Sequence, residues 1–195
     1  MSSVRRTATY LAHPSIEAAL TLLARVPESP EHVYQRPMGD ILRFIFPVSG
    51  GYDVVIGADA ACEDTSHHKL MGLGLDLETS TYKVCRTIRR QGRQQQQQQS
   101  GGMLFSRHDV MLVESRMIFE PWEVVEDQLR RHLAGNGCDS KRCYGMIQIG
   151  LMVQLYKYEP SSCFTKVGGR MHLINNHRDV IEWGRYVKEH PLSIT

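Results

Sequence analysis

His108-Asp109-Val110-Met111-Leu112-Val113-Glu114-Ser115-Arg116 is a short apolar run that ends in an acid and, two residues on, a base. Side chains on a strand repeat every second residue, so Glu114 and Arg116 share one face of a strand over residues 109–116. An acid beside a cation where a strand ends is what metal-assisted cleavage of a phosphodiester requires. The rest of the chain is read outward from this run.

At 195 residues the chain suits one domain with a full core. Its composition, 42% hydrophobic and 23% charged, excludes a disordered or fibrous class. A net charge of only +2 gives no global pull toward nucleic acid or membrane, so a nucleic-acid surface must be a local patch. Arg5 and Arg6 are not followed by an apolar stretch of signal-peptide length. The longest apolar region, residues 146–156, is too short to span a bilayer and is interrupted by Gln148, Gly150 and Gln154. The expectation is an intracellular protein, of nucleus or cytoplasm, with no membrane partner. Nothing in the sequence reports an oligomeric state. Cys62, Cys85, Cys138, Cys143 and Cys163 are odd in number and read as free thiols. Cys138 and Cys143 with His172 and His177 form an alternative zinc set of loose spacing.

Ser15 as N-cap with Ile16, Ala19, Leu20 and Leu23 predicts a helix over residues 15–26, stopped by Pro27 and Pro30. Ile41-Leu42-Arg43-Phe44-Ile45-Phe46-Pro47-Val48 reads as a strand, Ser49-Gly50-Gly51 as a turn, and Tyr52-Asp53-Val54-Val55-Ile56-Gly57 as a second strand, together a hairpin. Residues of about 60–105 read as a disordered surface insertion, because Gln94 to Gln99 and Ser100-Gly101-Gly102 cannot build a core. Residues 70–77 and 82–85 are allowed a little local structure within it. Its Arg86, Arg89, Arg90 and Arg93 fit a phosphate contact, a nuclear signal or a plain solvated loop. Beyond residues 109–116, Pro121 opens a helix to about Leu133, with Trp122, Val125, Leu129 and Leu133 inward. Glu126 with Arg130, and Asp127 with Arg131, are i,i+4 pairs on its outer face. Strands over residues 144–149 and 152–158 meet at Gly150, a short strand follows near residues 170–174, and a helix closes at residues 178–187.

If the strands over residues 42–48, 52–57 and 109–116 form an antiparallel meander, the start of the second lies beside the end of the third. Asp53 then meets Glu114 and Arg116, across 114 − 53 = 61 positions of sequence. Asp76 stays open as the first acid, since the insertion can hide the partner strand. Two such carboxylates hold Mg²⁺ or Mn²⁺ and leave positions for water and phosphate. The cation stabilises the charge that develops. Arg116 holds a phosphate well, but it stays protonated and does not activate water as a lysine does.

The order of helix, hairpin, Asp53, insertion, Val113-Glu114-Ser115-Arg116, helix and strand resembles the PD-(D/E)XK nuclease superfamily over about residues 13–158. Val54-Val55-Ile56 after Asp53 and Met111-Leu112-Val113 before Glu114 match its apolar contexts. Gln128-Leu129-Arg130-Arg131-His132 is similar to the Gln-x-x-x-Tyr signature of its exonuclease branch, with His132 in the tyrosine's place. The run of residues 144–151 is similar to fungal proteins with this core. Arginine stands where the family has lysine, and Tyr52 where proline precedes the first acid. The resemblance implies a single nuclease-like α+β domain over residues 1–195: a mixed central sheet, helices on both faces, and a restriction-endonuclease-like core in the order α-β-β-β-α-β. It implies Asp53 and Glu114 as ligands of Mg²⁺ or Mn²⁺, Arg116 at the catalytic lysine position, Gln128 assisting, and DNA or RNA as partner. The activity implied is that of a degenerate Mg²⁺-dependent phosphodiesterase. The alternative is a catalytically inactive module of the same fold that binds nucleic acid or protein.

Each residue also has a structural reading. Glu114 with Arg116 suits a strand-end ion pair. Asp53 after Gly50-Gly51 suits a turn acceptor. Gln128 and His132 suit the polar border of a helix.

Overall fold

The computed structural model describes residues 8–27, 31–56, 80–90, 104–116, 118–134, 142–159 and 163–192. Helix α1 spans Pro14–Arg25 and buries Ile16, Leu20 and Leu23. Its N-cap is His13 rather than Ser15, because Pro14 takes the first helical position, where a missing N–H costs nothing.

The largest departure from the expected elements comes next. Residues 41–45, read as a strand, lie in helix α2, Glu31–Ile45. Met38, Ile41, Leu42 and Ile45 are all buried, and their i, i+3, i+4, i+7 spacing is the inward stripe of a helix. Asp40 and Arg43 pair at 3.2 Å on its outer side. Pro37 stands inside α2 and withholds one backbone donor from it. The expected hairpin is thus a helix, a 3₁₀ turn at Val48–Gly50, and strand β1, Tyr52–Ile56. Gly51 makes the reversal at φ +79°, in the left-handed region where glycine carries no Cβ penalty.

Strand β2, Ser80–Arg90, falls within the segment read as an insertion, and β3, Leu104–Arg116, begins earlier than expected. Asp76, residues 70–77 and the glutamine run lie outside the described residues. Helix α3, Trp122–Ala134, leads to β4, Cys143–Ile149, and β5, Met152–Glu159. Strand β6, Cys163–His172, and helix α4, His177–Glu189, complete the order. The sheet runs β1-β2-β3-β4-β5-β6. Its pairings are antiparallel except β3 with β4, which is parallel and joined through α3. A parallel pair needs such a crossover, whereas Gly150, at φ +57°, lets β4 and β5 reverse directly.

Alternation along the strands divides the core in two. Met111, Val113, Tyr144 and Met146 meet α1, α2 and α4 on one face. Leu112, Cys143, Ile147 and Tyr156 meet Trp122, Val125, Leu129 and Leu133 of α3 on the other. Helices therefore cover both faces of a mixed sheet, the α+β sandwich expected from the sequence. Cys85 and Cys143 are buried. Among the described residues, no helix is long and apolar enough to cross a membrane.

Close approach of α4 to α2 depends on Gly184, where a Cβ would collide with the Ile45 Cγ2 methyl. Gly184→Ala is expected to lower stability by about 1–3 kcal/mol through overpacking, read as a fall in urea midpoint. The Ile45→Ala background should remove most of that penalty.

Helix α3 is also tied to β5 and β6 by a polar cluster. Trp122 Nε1 donates to the Tyr156 hydroxyl at 2.8 Å, and that hydroxyl donates to Glu126 Oε1 at 2.7 Å. Lys166 Nζ reaches the same carboxylate at 2.7 Å. The expected i,i+4 pairs are replaced: Glu126 turns to Lys166, Asp127 pairs with Arg130, and Arg131 Nε donates to the Asp127 carbonyl. Burial opposes ionisation of Glu126, but hydrogen bonds from Lys166 and Tyr156, with the charges of Lys166 and Arg170, hold its carboxyl below the ordinary range. A lowered folded pKa gives stability above the unfolded value that is lost as pH falls through the folded one. Glu126→Gln is therefore expected to lower the urea midpoint at neutral pH, and the gap from the parent should close on acidification. A gap that stays constant with pH would contradict this assignment.

Candidate functional site

Glu114 lies at the end of β3 on the face covered by α3, the same side as Leu112. It is 0% exposed. Arg116 Nη2 donates to its Oε2 at 2.9 Å, and the Thr81 hydroxyl of β2 donates to the same oxygen at 3.4 Å. His132, in the last turn of α3, contacts Oε1 through Nδ1 at 2.6 Å. A carboxylate accepts, so His132 carries its proton on Nδ1 in this contact. Arg116, 4% exposed, spends its other terminal nitrogen on the Ser115 carbonyl at 2.8 Å. Both oxygens of Glu114 are thus engaged, by one cation, one imidazole and one hydroxyl.

The opposite face of the same strand ends is polar as well. Ser115 Oγ donates to Gln148 Oε1 at 2.9 Å, and Gln148 Nε2 donates to the Gly150 carbonyl at 2.9 Å. All three residues are buried, and the two bonds fix the β4–β5 turn against the end of β3.

The four sequence-predicted residues fare differently. Glu114 and Arg116 are together, as a buried ion pair. Gln128 is half-buried one turn before His132 on α3. No hydrogen bond joins it to the cluster among the described residues. Asp53 is elsewhere: it is exposed and sits in register with Cys85 of β2, which pairs with Asp109 of β3. From Asp109 to Glu114 is five residues along β3, or roughly 16 Å, and β1 is two strands across. The expected meander fails because β2 intervenes between β1 and β3. Ile56, not Asp53, stands at Glu114's end of the sheet, through Tyr82 and Val113.

Mg²⁺ and Mn²⁺ take hard oxygen ligands with lone pairs free to point at the ion. Glu114 is enclosed with both oxygens engaged, and Asp53 is too distant to share an ion with it. Among the described residues these two do not fit such a metal, and no group of three or more His, Cys, Asp or Glu side chains converges on one point. The zinc set is not assembled either. Cys143 is in register with Tyr158 and His172 with Met152, at opposite ends of β5. His172 Nδ1 instead accepts from the Ile174 and Asn175 amides, and Cys138 lies outside the described residues.

Thr81 was missed because its segment reads as insertion. The signal was there in Thr81-Tyr82-Lys83-Val84, a polar–apolar alternation beside the glutamine-rich tract. His132 as Glu114's direct partner was legible only as a residue sharing a helix face with Gln128. Comparison with family models, with curated protein sequences and with solved structures gives no match.

Proposed function

We propose that this chain is a catalytically inactive module with a PD-(D/E)XK nuclease-like core, and that it holds nucleic acid rather than cutting it. The observation that carries this reading is the state of Glu114. An acid that must bind a metal needs a lone pair open to the ion, and here Thr81, Arg116 and His132 occupy three of the roughly four acceptor positions of a carboxylate that is itself 0% exposed. Arginine in the lysine position stays protonated and does not activate water as a lysine does. Support for the core comes from the element order. Three successive antiparallel strands are followed by a crossover helix and a strand parallel to the third, in keeping with the α-β-β-β-α-β order the resemblance implies.

The competing reading is a degenerate Mg²⁺-dependent phosphodiesterase acting on DNA or RNA, with Asp76 in place of Asp53 as first acid. The two separate on one experiment. Plasmid DNA and a single-stranded RNA are incubated with the protein in Mg²⁺, Mn²⁺ or EDTA, beside Glu114→Gln. The inactive module gives identical, metal-independent backgrounds for both proteins. Cleavage that EDTA stops and Glu114→Gln abolishes would establish the phosphodiesterase instead. Binding is read separately, by anisotropy of labelled nucleic acid with rising salt. Weakening as salt rises is expected of phosphate contacts, and absence of binding would leave a protein partner.

A further inference from the structure

The outer face of α1 carries a charge pattern that its own helix does not satisfy. Ile16, Leu20 and Leu23 turn inward, while Pro14, Glu17, Ala18, Thr21, Leu22 and Arg25 line a shallow groove on the opposite side. All six are exposed, and Leu22 keeps 51% of its surface open. Glu17 lies in the first turn of α1 and Arg25 in the last. They are 25 − 17 = 8 residues apart, about 12 Å along the axis, beyond the three- and four-residue spacings at which helix side chains meet. Among the described residues neither takes part in an ion pair. On α2, α3 and α4 an acid and an arginine three residues apart do pair: Asp40 with Arg43, Asp127 with Arg130, and Glu182 with Arg185.

We propose that this face of α1 is the contact of a symmetric antiparallel dimer of the chain, with Thr21 of each copy at the two-fold axis. Residue 21 is midway between 17 and 25, so a second α1 reversed about that point sets Glu17 of each copy level with Arg25 of the other. One unpaired acid and one unpaired base become two identical ion pairs, the self-complementarity that a two-fold interface demands. The small side chains of Ala18 and Thr21 let the two backbones come close. Leu22 of each copy is then about 3 Å from the other's level along the axis, and the pair covers apolar surface that the single chain leaves open. The helix dipoles agree, since the N-terminal end of each α1 lies beside the C-terminal end of its partner. At 12 residues α1 is about 18 Å long, and a contact of that length falls below the roughly 1,200 Å² of total surface that stable interfaces bury. The dimer therefore dissociates on dilution. It does not depend on the nucleic-acid reading.

The test is sedimentation velocity of the full chain from about 1 μM to about 1 mM, where weak interfaces dissociate. The mass is expected to rise with concentration from 22.2 kDa toward twice that value. Glu17→Arg or Arg25→Glu alone sets like charges together at both ends of the contact. Each should raise the dissociation midpoint by at least about tenfold. The double variant Glu17→Arg/Arg25→Glu restores opposite charges and should return the midpoint to within about threefold of the parent. Leu22→Glu, which puts a charge at the centre of the contact, should leave the chain monomeric throughout. Glu182→Arg on α4 reverses a charge on another helix and should leave the midpoint unchanged. Urea midpoints show that each variant is folded. A chain that stays monomeric at every concentration overturns the dimer and leaves the face to a different protein. A dimer indifferent to Leu22→Glu and to both single reversals overturns the assignment to α1. Single reversals that weaken the dimer, with a double variant that fails to restore it, overturn the antiparallel pairing.

Discussion

Arg116→Met is expected to destabilise the protein by about 3–5 kcal/mol, the cost of leaving a buried charge without its partner. Glu114 is 0% and Arg116 4% exposed, so water cannot replace the lost guanidinium. Glu114 would keep only the Thr81 hydroxyl and His132, which is partly exposed and an incomplete substitute. The double variant Glu114→Leu/Arg116→Met should recover most of the loss and can exceed the parent, because an apolar pair of similar volume needs no desolvation of charge. Urea denaturation measures both, with a shifted midpoint at constant m-value as the signature of a pure stability change. A single-variant cost below about 1 kcal/mol would mean that water reaches the pair, as at a surface salt bridge. That outcome would return Glu114 to consideration as an accessible acid. The same samples test the metal directly. A ligand that binds only the folded state raises the midpoint with concentration, so an Mg²⁺ series that leaves it fixed agrees with an engaged Glu114.

The division of the fold into strands and helices was legible wherever burial and local propensity agree. Over residues 122–133 the apolar spacing, the leading proline and the trailing glycines all indicate a helix, and α3 buries the expected Trp122, Val125, Leu129 and Leu133. Residues 41–46 set the two signals against each other. Ile41, Phe44, Ile45 and Phe46 favour a strand by type, yet Ile41, Leu42 and Ile45 continue a stripe that begins at Met38. Pro27 and Pro30 stop the preceding helix in the sequence, and the helix that follows them carries Pro37 in its interior. Tertiary burial decided in favour of the helix, because α1, α4 and the sheet offer that stripe an apolar face.

Legibility of the site followed the same division. Glu114 and Arg116 sharing a face is a property of any strand, and it holds. Asp53 meeting them depended on which strands are neighbours, which sequence periodicity does not report. Once residues 80–90 enter the sheet, every residue of β1 moves one strand further from β3. Thr81, not Asp53, then faces Glu114 in register. The strand-end ion pair weighed as the plain alternative is present, but buried rather than solvent-facing, and that difference gives it its energetic weight.

Trp122→Ala is expected to cost about 3–5 kcal/mol, and its consequences extend along α3. Trp122 opens the helix at 9% exposure, within the cluster that includes Leu112, Val125 and Ile149. Its indole also donates to Tyr156, and the Arg170 guanidinium lies 4.1 Å above its ring. Trp122→Phe separates these contributions. It keeps most of the buried area and a face for Arg170, and loses one hydrogen bond worth about 0.5–1.5 kcal/mol. Tyr156 still donates to Glu126 in that variant, so its hydroxyl keeps a partner. A double-mutant cycle with Arg170→Ala should return a coupling of about 0.5–1 kcal/mol for the stacked cation. His132 is ten residues further along α3, about 15 Å at helical rise. If the Trp122 anchor sets the position of the whole helix, its removal shifts His132 relative to Glu114, and the imidazole NMR resonance moves. If that resonance stays in place while stability falls, Val125, Leu129 and Leu133 hold the C-terminal half of α3 unaided. The Glu114 cluster would then be a rigid part of the core that does not depend on the anchor.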